Sequence, residues 1–227
     1  MLCVSVRACE LKMTFENTDQ TVQAKDLLAA LKVLLEGAGE EAGVADMLSL
    51  WPDEYQASVT AGEPATALPV LGHLPGLPLP QDAAAVRALN LFAAAAASFN
   101  WRQSYDENDF SRHFLNNYGW VMLAGDGGLI RAEGLLITLL MLGPGAIYPR
   151  HSHAAEEIYQ VIAGEVDIDT GDMGWRRYTP GMTCHHIPWV PHALRCGASP
   201  VMLMAIWKAG RFIKSKIEPA PEKSQMD

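Results

Sequence analysis

Residues 145–164 read GAIYPRHSHAAEEIYQVIAG, and this stretch decides the fold. Within it Gly145, His151, His153, Glu157 and Gly164 stand as G-x5-H-x-H-x3-E-x6-G. His151 and His153 are two residues apart, so a β-strand points both to the same face. Glu157 reaches that face from the next strand if the Ala154-Ala155-Glu156 run turns the chain. Two imidazoles and a carboxylate held between turn glycines make half of a metal site. Such nitrogen and oxygen donors suit a divalent transition metal: zinc, iron, manganese, cobalt or nickel. The remaining ligand has to come from a distant strand, and His192 in HIPWVPHALRC (186–196) is the candidate.

These positions, followed by the P-x-x-P-H segment that ends at His192, resemble the cupin superfamily. The resemblance implies a C-terminal double-stranded β-barrel, jelly-roll-like, with one metal held by His151, His153, Glu157 and His192. The second half departs from the usual pattern. Pro180-Gly181 supplies the turn, but the approach to His192 reads P-W-V-P-H, where the common form carries a glycine.

At 227 residues the chain is long enough for a sizeable core. Its 49% hydrophobic and 19% charged content is that of a globular protein. A formal net charge of -9 without a Lys/Arg cluster argues against nucleic acid, yet leaves a zwitterionic ligand possible. Cys3, Cys9, Cys184 and Cys196 form no C-x-x-C pair, which reads as reduced thiols in a cytoplasmic protein. The opening MLCVSVRACELKM is too short in its apolar run for a signal peptide, and AAAAASF and LLITLLML are too short to cross a membrane.

The pattern divides at about Gly119. Residues 1–118 read as a helical region, 119–213 as the β-barrel and 214–227 as a loose polar tail. Val22, Leu27, Leu28, Leu31, Leu34 and Leu35 recur at helical spacing between Thr21 and Leu35, with Thr18 or Asp19 as cap and Gly37 as stop. A second short helix is expected over Glu41–Leu50, and an alanine-rich one from an Asp82 cap to about Phe99. A shorter piece is expected over Asp109–Asn117. The Pro- and Gly-rich connector at about 61–81 reads as irregular. From Gly119, short apolar runs separated by Gly-Asp and Pro-Gly turns indicate a sandwich or barrel.

Around the metal, Tyr159 lies two residues after Glu157 and so enters the same interior, while Tyr148 sits just ahead of His151, at the mouth. A divalent cation lowers a neighbouring phenol's pKa, which makes Tyr159 a candidate general base; a packed core tyrosine is the other reading. Trp175, Trp189 and Trp207 offer faces for a cation. His185 and His186 are adjacent and point to opposite faces, so at most one enters the barrel. Both read as bystanders, as do His73 and His113 at the surface. Cys196 reads as a packed thiol and Glu156 as solvated.

Trp120 to Phe212 is similar to the bacterial cupin-type dimethylsulfoniopropionate lyases, which join a helical leader to one metal-binding barrel. The matching positions are Tyr148 ahead of the paired histidines, Tyr159 in the E-x-Y step, His192, and Trp207 on the last strand. The resemblance implies β-elimination to dimethyl sulfide and acrylate. The substrate carboxylate would sit on the metal, Tyr159 would act as base, and Trp207 with Tyr148 and Trp189 would hold the sulfonium. It leaves a homodimer possible. Rival readings are an iron-dependent cupin dioxygenase and a non-enzymatic small-ligand-binding cupin; a sugar-phosphate isomerase lacks a phosphate-binding cluster beyond Arg176-Arg177.

Overall fold

The computed structural model describes residues 20–58, 64–171 and 174–218. Two antiparallel five-stranded sheets face each other. The first is ordered β1 (Tyr118–Ala124), β2 (Leu135–Leu142), β9 (Val201–Lys208), β4 (Glu156–Ala163), β7 (Thr183–His186). The second runs β10 (Lys216–Ile217), β3 (Ile147–Ser152), β8 (His192–Cys196), β5 (Val166–Asp169), β6 (Trp175–Tyr178). This is the jelly-roll arrangement that the cupin resemblance implies.

The first sheet is covered on both faces, and its sequence shows it. In β2, Ile137, Leu139 and Met141 pack against helices while Leu136, Leu140 and Leu142 point at the second sheet, hence the unbroken run LLITLLML. In β9, Met202, Met204 and Ile206 face the helices and Val201, Leu203 and Ala205 face inward. In β4 the same alternation turns Ile158 and Ile162 outward and Glu157, Tyr159 and Val161 toward the sandwich interior.

The outer layer consists of α1 (Gln20–Glu36), α2 (Val44–Ser49) and α3 (Ala83–Ala95), whose apolar faces join the first sheet in one continuous core. Leu27, Leu28, Leu31 and Leu35 are fully buried, each worth about 2 kcal/mol of transfer energy. Gln160 of β4 donates Nε2–H to the Leu34 carbonyl at 3.0 Å and so ties the end of α1 to the sheet. Asp82 caps α3, its Oδ1 accepting from the Ala85 N–H at 2.8 Å. A fourth helix, α4 (Arg112–Asn116), leads into β1.

Several expectations change. Val22 is 47% exposed and Thr21 takes its place in the buried stripe of α1, because the true face lies one residue earlier. The caps Thr18 and Asp19 lie outside the described residues, as do Cys3 and Cys9. The connector is not wholly irregular: Pro69–Gly76 forms a 3-10 helix, a short form that tolerates proline at its start. α3 stops at Ala95, where Ala96–Ser98 tightens into a 3-10 turn. The chain just after Ile213 is not loose. Lys216 and Ile217 pair with Ser152 and His151 as β10, and the Ser152 hydroxyl donates to Glu218 at 2.6 Å; residues 219–227 lie outside the described part. Gly164 turns β4 into β5 at φ +79°, and a Cβ there would meet the Pro200 carbonyl oxygen at 2.3 Å. No described helix is long and apolar enough to cross a membrane.

Candidate metal centre and adjoining cavity

Strand register brings the chosen residues together. His151 of β3 is the direct partner of His192 in β8. Glu157 of β4 has His186 of β7 on one side and Trp207 of β9 on the other. The two sheets therefore deliver imidazoles and a carboxylate to the same interior space. His153, just past the end of β3, completes the group.

All of them are buried: Glu157 and His151 are 1% exposed, and His192 is 0%. Three histidines are oriented alike, with Nδ1 anchored on a backbone carbonyl. His151 uses Pro149 at 2.8 Å, His153 uses Ala155 at 2.9 Å and His192 uses Val190 at 3.0 Å. Such anchors hold Nε2 toward the interior, the arrangement by which backbone acceptors fix metal-binding imidazoles. Glu157 Oε2 lies 3.1 Å from His153 Nε2 and 3.2 Å from His192 Nε2, and Oε1 accepts the Trp207 indole N–H. His192 Nε2 nevertheless makes no hydrogen bond.

Electrostatics follow from burial and crowding. Burial, then the His192 ring, pulls His151 well below the usual histidine range. Burial also pulls on His153, but the Glu157 hydrogen bond and charge outweigh it and raise its pKa. Burial opposes ionisation of Glu157, yet His153 and His192 hold its carboxyl well below the usual range. His153 thus donates to Glu157 from the nitrogen that would otherwise face a cation. The donor atoms of His151, His153 and His192 lie within 4.8 Å of one another, as do those of Glu157, His186 and His192. The orphaned His192 nitrogen, the buried carboxylate and the inward-facing imidazoles fit a divalent transition metal.

A cavity of about 50 Å³ adjoins this cluster, lined among others by Trp120, Tyr148, Glu157, Tyr159, Trp207 and Phe212. Tyr159 is 3% exposed, and burial followed by the charge of Glu157 pushes its phenol well above the ordinary value. Tyr148 is not at the mouth but buried. It stacks on His151 at 4.1 Å between ring centres, and its hydroxyl meets that of Tyr105 at 3.0 Å. Burial is also the first cause that raises the Tyr148 phenol. Trp207 stacks between His153 and Phe212.

Trp189 does not join them. Its side chain is 61% exposed and does not line the cavity, so a substrate contact from it is corrected. It stands at φ +66°, a left-handed conformation that favours glycine, and its backbone N–H donates to the His153 carbonyl at 2.8 Å. Trp175 is likewise exposed, with Arg195 over its ring at 4.5 Å. Trp120, Tyr105 and Phe212 were not foreseen. The signal for Trp120 was there, since Tyr118, Trp120 and Met122 form the inward face of β1. His186 was set aside but is 1% exposed and beside Glu157, whereas its neighbour His185 pairs outside with Glu156 at 2.8 Å. Cys196 is a packed thiol, its Sγ 2.9 Å from the Ser199 carbonyl oxygen. A larger groove of about 680 Å³ lies along Pro78–Asp82, but Glu165, Asp167, Arg177 and Arg195 in its wall pair with one another and Asp82 caps α3.

Residues 45–203 match the family described as dimethylsulfoniopropionate lyase. A curated relative, dimethylsulfoniopropionate lyase DddQ of Ruegeria pomeroyi, is 33% identical over 125 residues, 55% of this chain and 61% of the relative. The chain thus spans less than two thirds of that relative's length. A chain from the crystal structures of the DMSP lyases RdDddP and RnDddQII superposes with a TM-score of 0.76 at 29% identity, over 88% of this chain and 100% of that one. The crystal structure of DMSP lyase DddQ from Ruegeria pomeroyi DSS-3 gives 0.73 at 28% identity, over 86% and 96%. With most of its length inside the family pattern and the fold of two such structures, the chain belongs to the dimethylsulfoniopropionate lyase family.

Proposed function

We propose that the protein cleaves dimethylsulfoniopropionate to dimethyl sulfide and acrylate by metal-dependent β-elimination. The observation that carries this reading is the direct abutment of a buried His/Glu cluster and an aromatic cavity, with Tyr159 and Trp207 belonging to the cavity wall and Glu157 to both. His151, His153, Glu157 and His192 would hold the metal. When bound, it would supply a Lewis acid for the substrate carboxylate and a positive charge near the Tyr159 hydroxyl.

The chain's own groups then have separate tasks. Tyr159, ionised beside that charge, takes the proton from the carbon next to the carboxylate. The electron pair of that C–H bond forms the new C=C bond, and the pair of the C–S bond leaves with sulfur as neutral dimethyl sulfide. The sulfonium needs no acid, since it departs without charge. Trp120, Trp207 and Phe212 form an apolar, π-rich wall suited to the sulfonium methyls. Tyr148 orients the His151 ring by stacking and closes the buried side of the cavity. The cavity is tight for this substrate, and Phe212, outside both sheets, is the wall group that has to yield.

The test is anaerobic incubation of the metal-loaded protein with dimethylsulfoniopropionate, following dimethyl sulfide and acrylate together. Equimolar release that is lost in Tyr159→Phe, with metal retained, is the expected result. Release unchanged in that variant removes Tyr159 as base. No release with zinc, manganese, iron, cobalt or nickel refutes the substrate, and an oxygen requirement would favour a cupin dioxygenase.

A further inference from the structure

We propose that His186 is a fifth protein ligand of the metal centre, binding through Nδ1. The proposal rests on the metal centre described above but not on the substrate.

Buried polar atoms are almost always satisfied, because leaving one unpaired forfeits its hydration without replacement. In the candidate centre two imidazole nitrogens are buried without a hydrogen-bond partner, His192 Nε2 and His186 Nδ1. The first already belongs to the expected ligand set, and the second carries the same mark. Their rings stack at 4.0 Å between centres, and both nitrogens approach the same carboxylate oxygen. Glu157 Oε2 is 3.2 Å from His192 Nε2 and 3.9 Å from His186 Nδ1. Donors about 2.1 Å from a shared cation stand about 3.0 Å apart when adjacent and about 4.2 Å apart when opposite. The His186 distance falls between these values, so its place beside Glu157 and His192 suits a cation shared with them.

Topology supplies the geometry. His186 comes from β7 in the first sheet and His151 from β3 in the second, and each approaches the His192 ring. The other three imidazoles present Nε2 because Nδ1 is held by a carbonyl. His186 is turned the other way, its Nε2 3.6 Å from Cys184 Sγ and its Nδ1 left for the interior. Four imidazoles and one carboxylate leave a single open position in an octahedron. That set favours manganese, iron, cobalt or nickel over zinc, which prefers four ligands.

The experiment is X-ray absorption fine structure on the full-length wild-type protein loaded with one equivalent of cobalt(II), with no substrate present. Four imidazoles around the ion support the proposal. Three imidazoles overturn it and leave the metal centre standing, whereas failure to retain cobalt overturns the centre itself. The visible absorption of cobalt in His186→Gln and His186→Phe gives a second readout, because lost coordination intensifies those bands. The expected result is stronger cobalt bands and affinity weaker by roughly 10–100-fold or more. His186→Phe preserves a stacking ring without a donor, so an unchanged cobalt spectrum in that variant reduces His186 to packing and refutes the assignment.

Discussion

Trp207 donates its indole N–H to Oε1 of Glu157 while Oε2 faces His153 and His192. One residue therefore both lines the cavity and aims a candidate ligand. Trp207→Phe keeps an aromatic face but removes the donor, so metal affinity should fall roughly tenfold, as when an outer hydrogen bond to a ligand is lost. Competition with a chromophoric chelator measures this. Unchanged affinity would confine Trp207 to the cavity wall.

Tyr148 and Tyr159 are both buried phenols on the cavity, but their surroundings differ. Tyr159 faces Glu157 and the His186 and His192 rings, whereas Tyr148 stacks on His151 and contacts Tyr105. Tyr148→Phe should lower kcat/KM by roughly tenfold, the modest loss of a positioning group, while Tyr159→Phe loses turnover by the larger factor of a proton-transfer group, about 10²–10⁴. Steady-state kinetics of the two variants decide the matter. A loss in Tyr148→Phe as deep as in Tyr159→Phe would move the base to Tyr148.

The ligand cluster was legible because spacing alone determines much of it. A residue step of two on a strand keeps a face, so the H-x-H pair and the E-x-Y step each led inward. The sandwich was legible for a similar reason: turn glycines such as Gly164 mark where strands must reverse. His186 was not legible, since adjacency to His185 shows only that one of the pair turns inward, and β7 has no further pattern to say which. Trp189 misled because its residue type resembles a cation binder, whereas its place is set by a backbone requirement at φ +66°. The 3-10 helix at Pro69–Gly76 was hidden by proline, which excludes α-helix interiors more strictly than short 3-10 turns.

That backbone requirement makes Trp189 testable. A left-handed residue other than glycine carries a strain of roughly 1–2 kcal/mol, and a β-branched side chain suffers most. Trp189→Gly should leave stability within about 1 kcal/mol of the parent, the relief of strain offsetting glycine's greater freedom in the unfolded chain. Trp189→Val should be destabilised by more than Trp189→Gly in urea unfolding. Catalysis should survive in the glycine variant, because the indole is exposed while the N–H that braces His153 remains. Abolished turnover in a folded Trp189→Gly would return Trp189 to the substrate site.

Asp167 gives a pH-dependent prediction away from the site. It stands between Arg177 of β6 and Arg195 of β8, direct partners across the ladder, with bonds of 2.9 and 3.0 Å. The Arg177 hydrogen bond lowers its pKa most, burial opposes this, and Arg195 adds to the lowering. A carboxyl depressed on folding stabilises the native state above its unfolded value, about 3.9, and loses that contribution as pH falls through the lower folded value. Both arginines are largely exposed, so the effect is of surface-pair size, about 1 kcal/mol. Asp167→Asn should therefore be less stable than the parent by about that amount near neutral pH, and the gap should close in acid as the parent's own carboxyl is protonated. Urea unfolding of both proteins across this range reads the difference directly. A gap that stays constant down to the acid end would mean that Asp167 acts through shape or hydrogen bonding alone, and that its charge contributes nothing to holding β5, β6 and β8 together.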